Sequence, residues 1–201
     1  NWNGQGDPAR ASGASIVRYR YDALGQLVVT VDPAGGETLY GYDEAGRLVS
    51  VTDALGRTRT VAYDAAGRIV RQVDALGGET FYGYDALGRI VSVTDPAGSV
   101  TAYAYDSASR VLSVTDPLGR STTFVWGSQG ELLARTDARG DRVVLTNDAL
   151  GRPLTLTYPN GQTWDLTYDA GGSVTSLSGD DLTRAYQRDA AGRALQVADI
   201  R

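Results

Sequence analysis

The chain has 201 residues, a formal net charge of −5, 25 glycines and 12 tyrosines, and it contains no cysteine, histidine or methionine. Disulfide frameworks, zinc–thiolate sites, thiolate nucleophiles and imidazole-based catalytic triads are therefore excluded. All 19 basic residues are arginine and four of the 24 acidic residues are glutamate, so residues of strands and turns dominate over helix formers. The acidic balance also argues against a nucleic-acid-binding face, which would be basic.

Residues 1–15 are rich in glycine, alanine and serine and are interpreted as a lead-in or linker. They do not resemble a signal peptide, and no apolar run approaches the roughly 18 residues of a membrane span. Because the chain begins at Asn1 and not at methionine, we interpret it as a processed piece. Residues 16–201 form the second region, an array of about nine copies of a 21-residue unit.

The first turn signal of each unit is Tyr-Asp followed by Gly-Arg or a near relative. Its residues are, in chain order, Tyr21, Asp22, Gly25, Tyr42, Asp43, Gly46, Arg47, Tyr63, Asp64, Gly67, Arg68, Tyr84, Asp85, Gly88, Arg89, Tyr105, Asp106, Arg110, Tyr168 and Asp169. Degenerate copies stand at Trp126–Gly127, at Asn147–Asp148 and, after a spacing of 20 residues, at Arg188–Asp189. These residues are interpreted as a structural repeat signature.

A second turn signal follows half a unit later. Its copies are Asp32–Gly35, Asp53–Gly56, Asp74–Gly77, Asp95–Gly98, Asp116–Gly119, Asp137–Gly140 and Tyr158–Gly161. Aspartate caps such turns, proline presets the backbone of the second residue, and glycine tolerates the exit conformation. Each unit is therefore predicted to be strand, turn, strand, turn.

Alternation of residues predicts the faces of the strands. Before the first turn, one face carries pairs such as Tyr40 and Tyr42, and after it one face carries pairs such as Val49 and Val51. The opposite face is expected to combine serine and threonine with the apolar residue beside the turn, which is Leu27, Leu48, Ile69, Ile90 or Val111. About eighteen short strands joined by tight turns predict an all-β fold. We expect a long, curved or spiralling antiparallel sheet of β-hairpin repeats and not a sandwich.

The pattern Tyr-Asp-x-x-Gly-Arg-Leu followed by Asp-Pro-x-Gly resembles the YD repeat of the Rhs family. That family includes bacterial Rhs toxins, the shell-forming B and C components of Tc toxins, and the teneurins. The resemblance covers about residues 16–201. Copies seven to nine depart from it, since Asn147 and Arg188 replace the tyrosine and Asp180–Asp181 stands in place of a proline turn.

The resemblance implies a sheet that spirals into a segment of a hollow shell. In bacterial members this shell encloses a C-terminal toxin, and the proteins are secreted or exposed at the cell surface and delivered by a secretion system. Some members release the toxin by self-cleavage with aspartates that follow the repeats. This chain ends at Arg201 within a repeat, so that activity is not assigned to it.

The recurring residues allow functional alternatives. The tyrosine columns are either a sugar-binding stripe or, as we favour, a ladder of cross-strand aromatic pairs. The aspartates suggest acid–base catalysis or calcium binding, but their spacing from arginine favours an Asp-capped turn with an arginine fork. Glycine pairs such as Gly35–Gly36 lack the following lysine and helix of a phosphate loop. No catalytic, cofactor-binding or metal-binding residue is therefore predicted.

The resulting interpretation is a non-enzymatic segment of an Rhs shell that encloses a toxin or other cargo. The alternative is an adhesion or carbohydrate-binding module of YD repeats, and a carboxylate hydrolase is a third hypothesis. Expected partners are the remaining repeats and the cargo of the parent protein, or a glycan or surface protein. Unpaired terminal strands also predict edge-to-edge self-association.

Overall fold

The computed structural model describes residues 16–179, 182–189 and 193–200. Within these residues there are eighteen β-strands and no helix. The predicted lead-in of residues 1–15 and the pair Asp180–Asp181 lie outside the described residues. The chain divides into two compact units, Asn1–Ser99 and Val100–Arg201.

The first unit is an antiparallel meander of eight strands, in which each strand pairs with its neighbour in sequence. The strands are β1 (Arg18–Tyr21), β2 (Leu27–Val31), β3 (Glu37–Tyr42), β4 (Leu48–Thr52), β5 (Thr58–Tyr63), β6 (Ile69–Val73), β7 (Glu79–Tyr84) and β8 (Ile90–Thr94).

The second unit repeats this pattern with ten strands. They are β9 (Val100–Tyr105), β10 (Val111–Thr115), β11 (Ser121–Trp126), β12 (Leu132–Thr136), β13 (Arg142–Asn147), β14 (Pro153–Thr157), β15 (Thr163–Tyr168), β16 (Val174–Ser178), β17 (Thr183–Arg188) and β18 (Ala194–Ile200). The predicted all-β fold of antiparallel hairpins is confirmed.

The two classes of turn share one backbone geometry, shown by the turn between β3 and β4. The N–H of Asp43 donates to the carbonyl oxygen of Arg47 (3.0 Å), and the N–H of Gly46 donates to that of Asp43 (2.9 Å). Oδ1 of Asp43 accepts the N–H groups of Ala45 (3.0 Å) and Arg47 (2.9 Å). Gly46 has a φ of 79°, which is the left-handed residue of a three-residue hairpin loop. Aspartate recurs because its carboxylate accepts hydrogen bonds from the turn N–H groups. Glycine recurs because it adopts a positive φ without steric strain.

A β-bulge follows each first turn and corrects the predicted strand faces. Tyr42 pairs with Leu48 and Tyr40 pairs with Val51, so the register skips Val49. Directly paired residues project from the same side of a sheet. Leu48 therefore lies on the same face as both tyrosines and Val51, and its expected position on the opposite face is wrong. The same shift places Leu27, Ile69, Ile90 and Val111 beside a tyrosine.

The two faces of the sheet differ in chemistry. We call the side of Tyr40, Tyr42, Leu48 and Val51 the tyrosine face and the other side the hydroxyl face. On the hydroxyl face, threonine and serine pair across strands, as in the hydrogen bond between Oγ1 of Thr52 and Oγ1 of Thr58 (2.8 Å). Further hydroxyl contacts join Thr115 to Ser121, Thr146 to Thr155 and Thr167 to Ser176.

Burial within the sheet is modest. Among the described residues, only Val29 (8% exposed) and Ala134 (1% exposed) count as buried hydrophobic residues. Stability must therefore come from the backbone ladders and from side-chain contacts between adjacent strands, since a single layer encloses no core.

The terminal strands pair on one side within the described part of the chain, β1 with β2 and β18 with β17. Edge-to-edge self-association stays a prediction.

Candidate functional site

The first turns hold an ion pair that links the turn aspartate to the arginine four residues later. In the turn between β5 and β6, Nε of Arg68 donates to Oδ2 of Asp64 (2.7 Å), and the Arg68 side chain is 36% exposed. The same pair forms at Asp43–Arg47, Asp85–Arg89, Asp106–Arg110, Asp148–Arg152 and Asp189–Arg193. The predicted Asp-capped turn with an arginine fork is confirmed by these contacts.

The fork extends from one repeat to the next. Cζ of Arg68 lies 4.6 Å from the centroid of the Tyr84 ring, within the range of a cation–π interaction. Nη1 of Arg68 also donates to the carbonyl oxygen of Asp85 (3.4 Å). Equivalent guanidinium–ring contacts join Arg47 to Tyr63, Arg110 to Trp126 and Arg152 to Tyr168.

The aromatic residue returns a hydrogen bond to the preceding repeat. Oη of Tyr84 donates to the carbonyl oxygen of Ile69 (2.7 Å), the residue that follows Arg68. The equivalent donors are Tyr42 to Leu27, Tyr63 to Leu48, Trp126 to Val111 and Tyr168 to Pro153. We call this set, the aspartate–arginine pair with the aromatic residue sixteen positions after the arginine, the repeat lock. In every lock the arginine belongs to the earlier repeat and the aromatic residue to the later one.

The repeat lock replaces the expected ladder of aromatic pairs. The stacked ring pair found in the described part of the chain is Phe124–Trp126, with centroids 6.4 Å apart, and both rings belong to β11. The rings of Tyr63, Tyr84, Trp126 and Tyr168 instead lie beside guanidinium groups of the preceding repeat. At these four positions the expected ladder of aromatic pairs is wrong.

The remaining signature residues belong to turns in which one member of the repeat lock is replaced by another residue, and we call these partial locks. Asp22 accepts the N–H groups of Leu24 (2.9 Å) and Gln26 (2.8 Å), but glutamine takes the place of arginine, and Tyr21 is 61% exposed. Asp169 accepts the N–H of Ser173 (2.9 Å), where serine replaces arginine. The turn that begins at Asp106 has a serine, Ser109, at the position of positive φ (64°).

One turn is rebuilt by compensating changes that sequence reasoning missed. Gly127 takes the place of aspartate, and Glu131 takes the place of arginine. The Glu131 carboxylate folds back into the space of the missing side chain, where a Cβ on Gly127 would collide with it. Its Oε2 accepts the N–H of Gln129 (2.9 Å), as an aspartate would. The sequence does carry a signal for this rebuilt turn. The aspartate and the arginine are both replaced, and so is the aromatic residue sixteen positions after the arginine, where Asn147 stands.

Asn147 retains half of the aromatic residue's role. Its Nδ2 donates to the carbonyl oxygen of Leu132 (2.9 Å). Its Oδ1 is buried and has no hydrogen-bond partner, the one such side-chain atom among the described residues. A buried acceptor without a donor is unusual and costly.

The turn carboxylates predict how stability depends on pH. A hydrogen bond from the backbone N–H of Arg68, aided by its guanidinium, holds the pKa of Asp64 below its usual value of 3.8. The pKa is lowered in the same way, by turn N–H groups or by arginine, at Asp43, Asp53, Asp74, Asp85, Asp106, Asp116, Asp137 and Asp148. Groups with a depressed folded pKa stabilise the fold above their unfolded pKa and lose that contribution as the pH falls through the folded pKa.

We expect the urea midpoint of the array to be flat between about pH 5 and 7 and to fall below about pH 4, because many aspartates then protonate together. Urea titrations at a series of pH values, followed by circular dichroism, measure this. An Asp64→Asn variant should show a shallower acid slope than the parent. A midpoint that falls between about pH 7 and 5 would contradict the assignment.

Acidic clusters and surface clefts of the described residues bear on the metal and sugar hypotheses. Within the described ranges no group of three or more acidic side chains could hold a metal ion. A cleft of about 300 Å³ beside the second turns is lined by eight residues, among them Arg59, Gln72 and Asp74, and none of the eight is aromatic. Aromatic platforms suit sugar rings, so this cleft does not favour the glycan hypothesis, whereas a second cleft of about 350 Å³ includes Tyr158 in its lining. No helix among the described residues is long and apolar enough to span a membrane.

Comparison with known proteins agrees with this geometry. The profile of the family described as RHS Repeat matches residues 2–38, 42–80, 84–120, 105–142 and 148–181. A search of curated proteins found no match.

Solved structures share the fold. A TcdB2-TccC3 crystal structure matches with a TM-score of 0.73 and 16% identity, covering 91% of this chain and 12% of that one. A TcdB2-TccC3-Cdc42 structure matches with a TM-score of 0.72 and 16% identity, over 92% and 11% of the two chains. The Photorhabdus luminescens Tc holotoxin pore matches with a TM-score of 0.61 and 18% identity, over 90% and 12%. The chain thus spans about an eighth of these proteins.

Proposed function

We propose that this chain, which belongs to the RHS repeat family, is a segment of a protein wall that encloses a cargo domain of a longer polypeptide. The observation that carries the proposal is the repeat lock, which recurs along the array in place of a single distinctive site. A surface whose recurring side-chain contacts join one repeat to the next is suited to a mechanical role. The expected action is steric, since it keeps the cargo away from solvent and from other proteins.

The relatives support this proposal through their architecture. The matched TcdB2-TccC3 chains are about eight times longer than this one, so the segment would be one part of a larger wall. Its partners would then be the remaining repeats and the cargo of the same polypeptide. We further propose that the parent protein is bacterial, secreted or surface-exposed, and that the segment itself has no enzymatic activity.

Limited proteolysis of the full-length protein tests the enclosure. The cargo is expected to resist protease in the parent protein. It should become sensitive when three locks are opened together by Tyr63→Ala, Tyr84→Ala and Tyr168→Ala. A matched variant with three exposed turn residues changed, Leu55→Ala, Leu76→Ala and Leu118→Ala, should keep the cargo protected. Equal cleavage of the cargo in the parent and the triple-tyrosine variant would contradict the proposal.

The adhesion alternative has one favourable observation. Tyr19 and Tyr21 on β1 are 56% and 61% exposed, whereas the lock tyrosines have their ring faces against arginine. A glycan array with the full chain tests it. Saturable binding that is lost in a Tyr19→Ala, Tyr21→Ala variant would favour the alternative, and an array without such binding would remove it.

A further inference from the structure

We propose that a cleft between two second turns of the second unit binds a neutral hexopyranose sugar, with the ring of Tyr158 as its platform. The cleft has a volume of about 350 Å³ and lies between the turn that follows β12 and the turn that follows β14. Its lining includes Arg135, Asp137, Arg139, Asp141, Tyr158 and Asn160. We call it the Tyr158 cleft. The proposal does not depend on the enclosure of a cargo.

The space itself recurs in the fold, whereas its chemistry does not. Beside the turn between β4 and β5, a cleft of about 260 Å³ is lined by Val51, Asp53, Arg57 and Arg59. Four 21-residue units later, the equivalent positions are Arg135, Asp137, Asp141 and Val143, and all four line the Tyr158 cleft. There the next second turn adds Tyr158, Pro159 and Asn160 to the lining. The later cleft is therefore larger and contains an aromatic ring.

Tyr158 occupies the position of a capping aspartate but does not cap its turn. The other six copies of the second turn begin with aspartate, and Oδ1 of Asp116, for example, accepts the N–H of Arg120 (2.9 Å). In the turn after β14, Oδ1 of Asn160 accepts the equivalent N–H, that of Gln162 (3.0 Å). No hydrogen bond or ring contact of the Tyr158 side chain is found among the described residues, and Tyr158 is 38% exposed. Its ring is therefore available to a ligand.

The turn after β12 presents acceptors that its own contacts use only in part. In the turn between β4 and β5, Nε of Arg57 donates to Oδ2 of Asp53 (2.7 Å). Asp141 replaces this arginine in the later turn. Arg139 approaches Oδ2 of Asp137 to 3.6 Å and Oδ2 of Asp141 to 3.3 Å, distances longer than the roughly 2.7–2.9 Å of a charge-assisted hydrogen bond. Both carboxylates can therefore accept hydrogen bonds from a ligand.

Arg135 supplies donors on the tyrosine face. It pairs with Phe124 and Val143 of the adjacent strands and is exposed. The N–H of Arg139 lowers the pKa of Asp137 most, and the charge of Arg135 adds to this effect, so the Arg135 guanidinium lies near that carboxylate. Within the described part of the chain it forms no hydrogen bond or ion pair. A guanidinium carries five N–H donors in a planar fork, which can serve two neighbouring oxygens of one ligand.

These groups match a sugar better than a charged ligand. Two guanidinium groups and two carboxylates line the cleft, so neither an anion nor a cation meets an excess of opposite charge, and exposed charges are screened by salt. A hydroxyl group both donates and accepts, so adjacent sugar hydroxyls can serve a guanidinium and a carboxylate together. The apolar face of a pyranose ring can pack on the phenol. The volume also falls within the range of about 300–1,000 Å³ that is typical of small-molecule sites.

Titration of the full chain with three methyl glycosides in turn, observed by ¹H–¹⁵N NMR, tests the site. The probes are methyl α-mannopyranoside, methyl β-galactopyranoside and methyl β-glucopyranoside. At least one should produce saturable shifts at the backbone amides of Arg139, Gly140 and Gly161 and at the side-chain amide of Asn160. The amide of Gly56, in the equivalent turn without a tyrosine, should not shift. Glycerol, sodium acetate and glycine at equal concentrations should not reproduce the pattern.

Tyr158→Asp is the matched variant, because it introduces the residue that the other second turns carry. The urea midpoint should not fall below that of the parent, while the affinity for the sugar should decrease by about tenfold or more. Tyr158→Phe keeps the ring and should keep the binding. Arg135→Gln should weaken it by about fivefold, and Tyr19→Ala, at an exposed tyrosine outside the cleft, should leave it unchanged.

Four results would each overturn the proposal. They are the absence of saturable shifts with all three methyl glycosides, unaltered binding in the Tyr158→Asp variant, loss of binding in the Tyr158→Phe variant, and an equal response to glycerol, acetate or glycine. The enclosure is tested separately by proteolysis of the cargo, so a failure of either proposal is recognised independently of the other.

Discussion

Replacement of Tyr84 by alanine is expected to lower the free energy of unfolding by about 2–3 kcal/mol. The substitution removes the hydrogen bond from Oη to the carbonyl oxygen of Ile69 (2.7 Å) and the ring beneath the guanidinium of Arg68. It also leaves the Ile69 carbonyl without that donor. Urea unfolding followed by circular dichroism measures the loss.

Two further variants separate the contributions of the hydrogen bond and of the site to the loss of stability. Tyr84→Phe keeps the ring and should lose about 1 kcal/mol, the contribution of one hydrogen bond. Tyr19→Ala removes the same side chain from a position that is 56% exposed, and it should cost less than about 1 kcal/mol. If Tyr84→Ala were no more destabilising than Tyr19→Ala, the repeat lock would contribute nothing to stability.

Replacement of Gly88 by valine should destabilise by about 2 kcal/mol, because a β-branched residue is forced into the left-handed region. Gly88 has a φ of 79°, and an added Cβ would lie 3.6 Å from Nη1 of Arg68. Steric contact is therefore ordinary, and the cost is one of backbone conformation. Thermal unfolding of the variant and the parent provides the measurement.

The neighbouring residue supplies the matched control for this prediction. Leu87 lies in the same turn, is 71% exposed and does not have a positive φ, so Leu87→Val should change stability little. The opposite substitution is available at Ser109, which has a φ of 64°. Because glycine adopts positive φ without strain, Ser109→Gly should leave the stability unchanged or raise it. Equal melting temperatures for Gly88→Val and the parent would mean that the turn adopts another conformation in solution.

The sequence predicts the hairpins because turn chemistry is local. Asp43 and Gly46 satisfy N–H groups and accept positive φ within five residues, so a 21-residue period is enough to place every turn and strand. The face of Leu48 could not be predicted by alternation, since the bulge at Val49 is set by the pairing of two strands. A single inserted residue reverses a period-2 assignment.

The contacts of the candidate site were predictable only in part. The ion pair between Asp64 and Arg68 follows from their spacing within one turn. The contact between Arg68 and Tyr84 spans sixteen residues and depends on how neighbouring repeats stack, which composition does not reveal. The rebuilt turn shows the same limit, because the sequence does not reveal that the Glu131 carboxylate folds back into the space left free by the absence of a side chain at Gly127.

A double-mutant cycle between Arg68 and Tyr84 tests most directly whether the signature residues join one repeat to the next. The four proteins are the parent, Arg68→Ala, Tyr84→Ala and the double variant. A control cycle uses Tyr42→Ala in place of Tyr84→Ala, since Tyr42 donates to Leu27 in the partial lock that begins at Asp22. A coupling free energy of about 1 kcal/mol or more is expected for Arg68 with Tyr84, and less than about 0.5 kcal/mol for Arg68 with Tyr42. Additive losses for Arg68 and Tyr84, within about 0.5 kcal/mol, would contradict the repeat lock and the wall that depends on it.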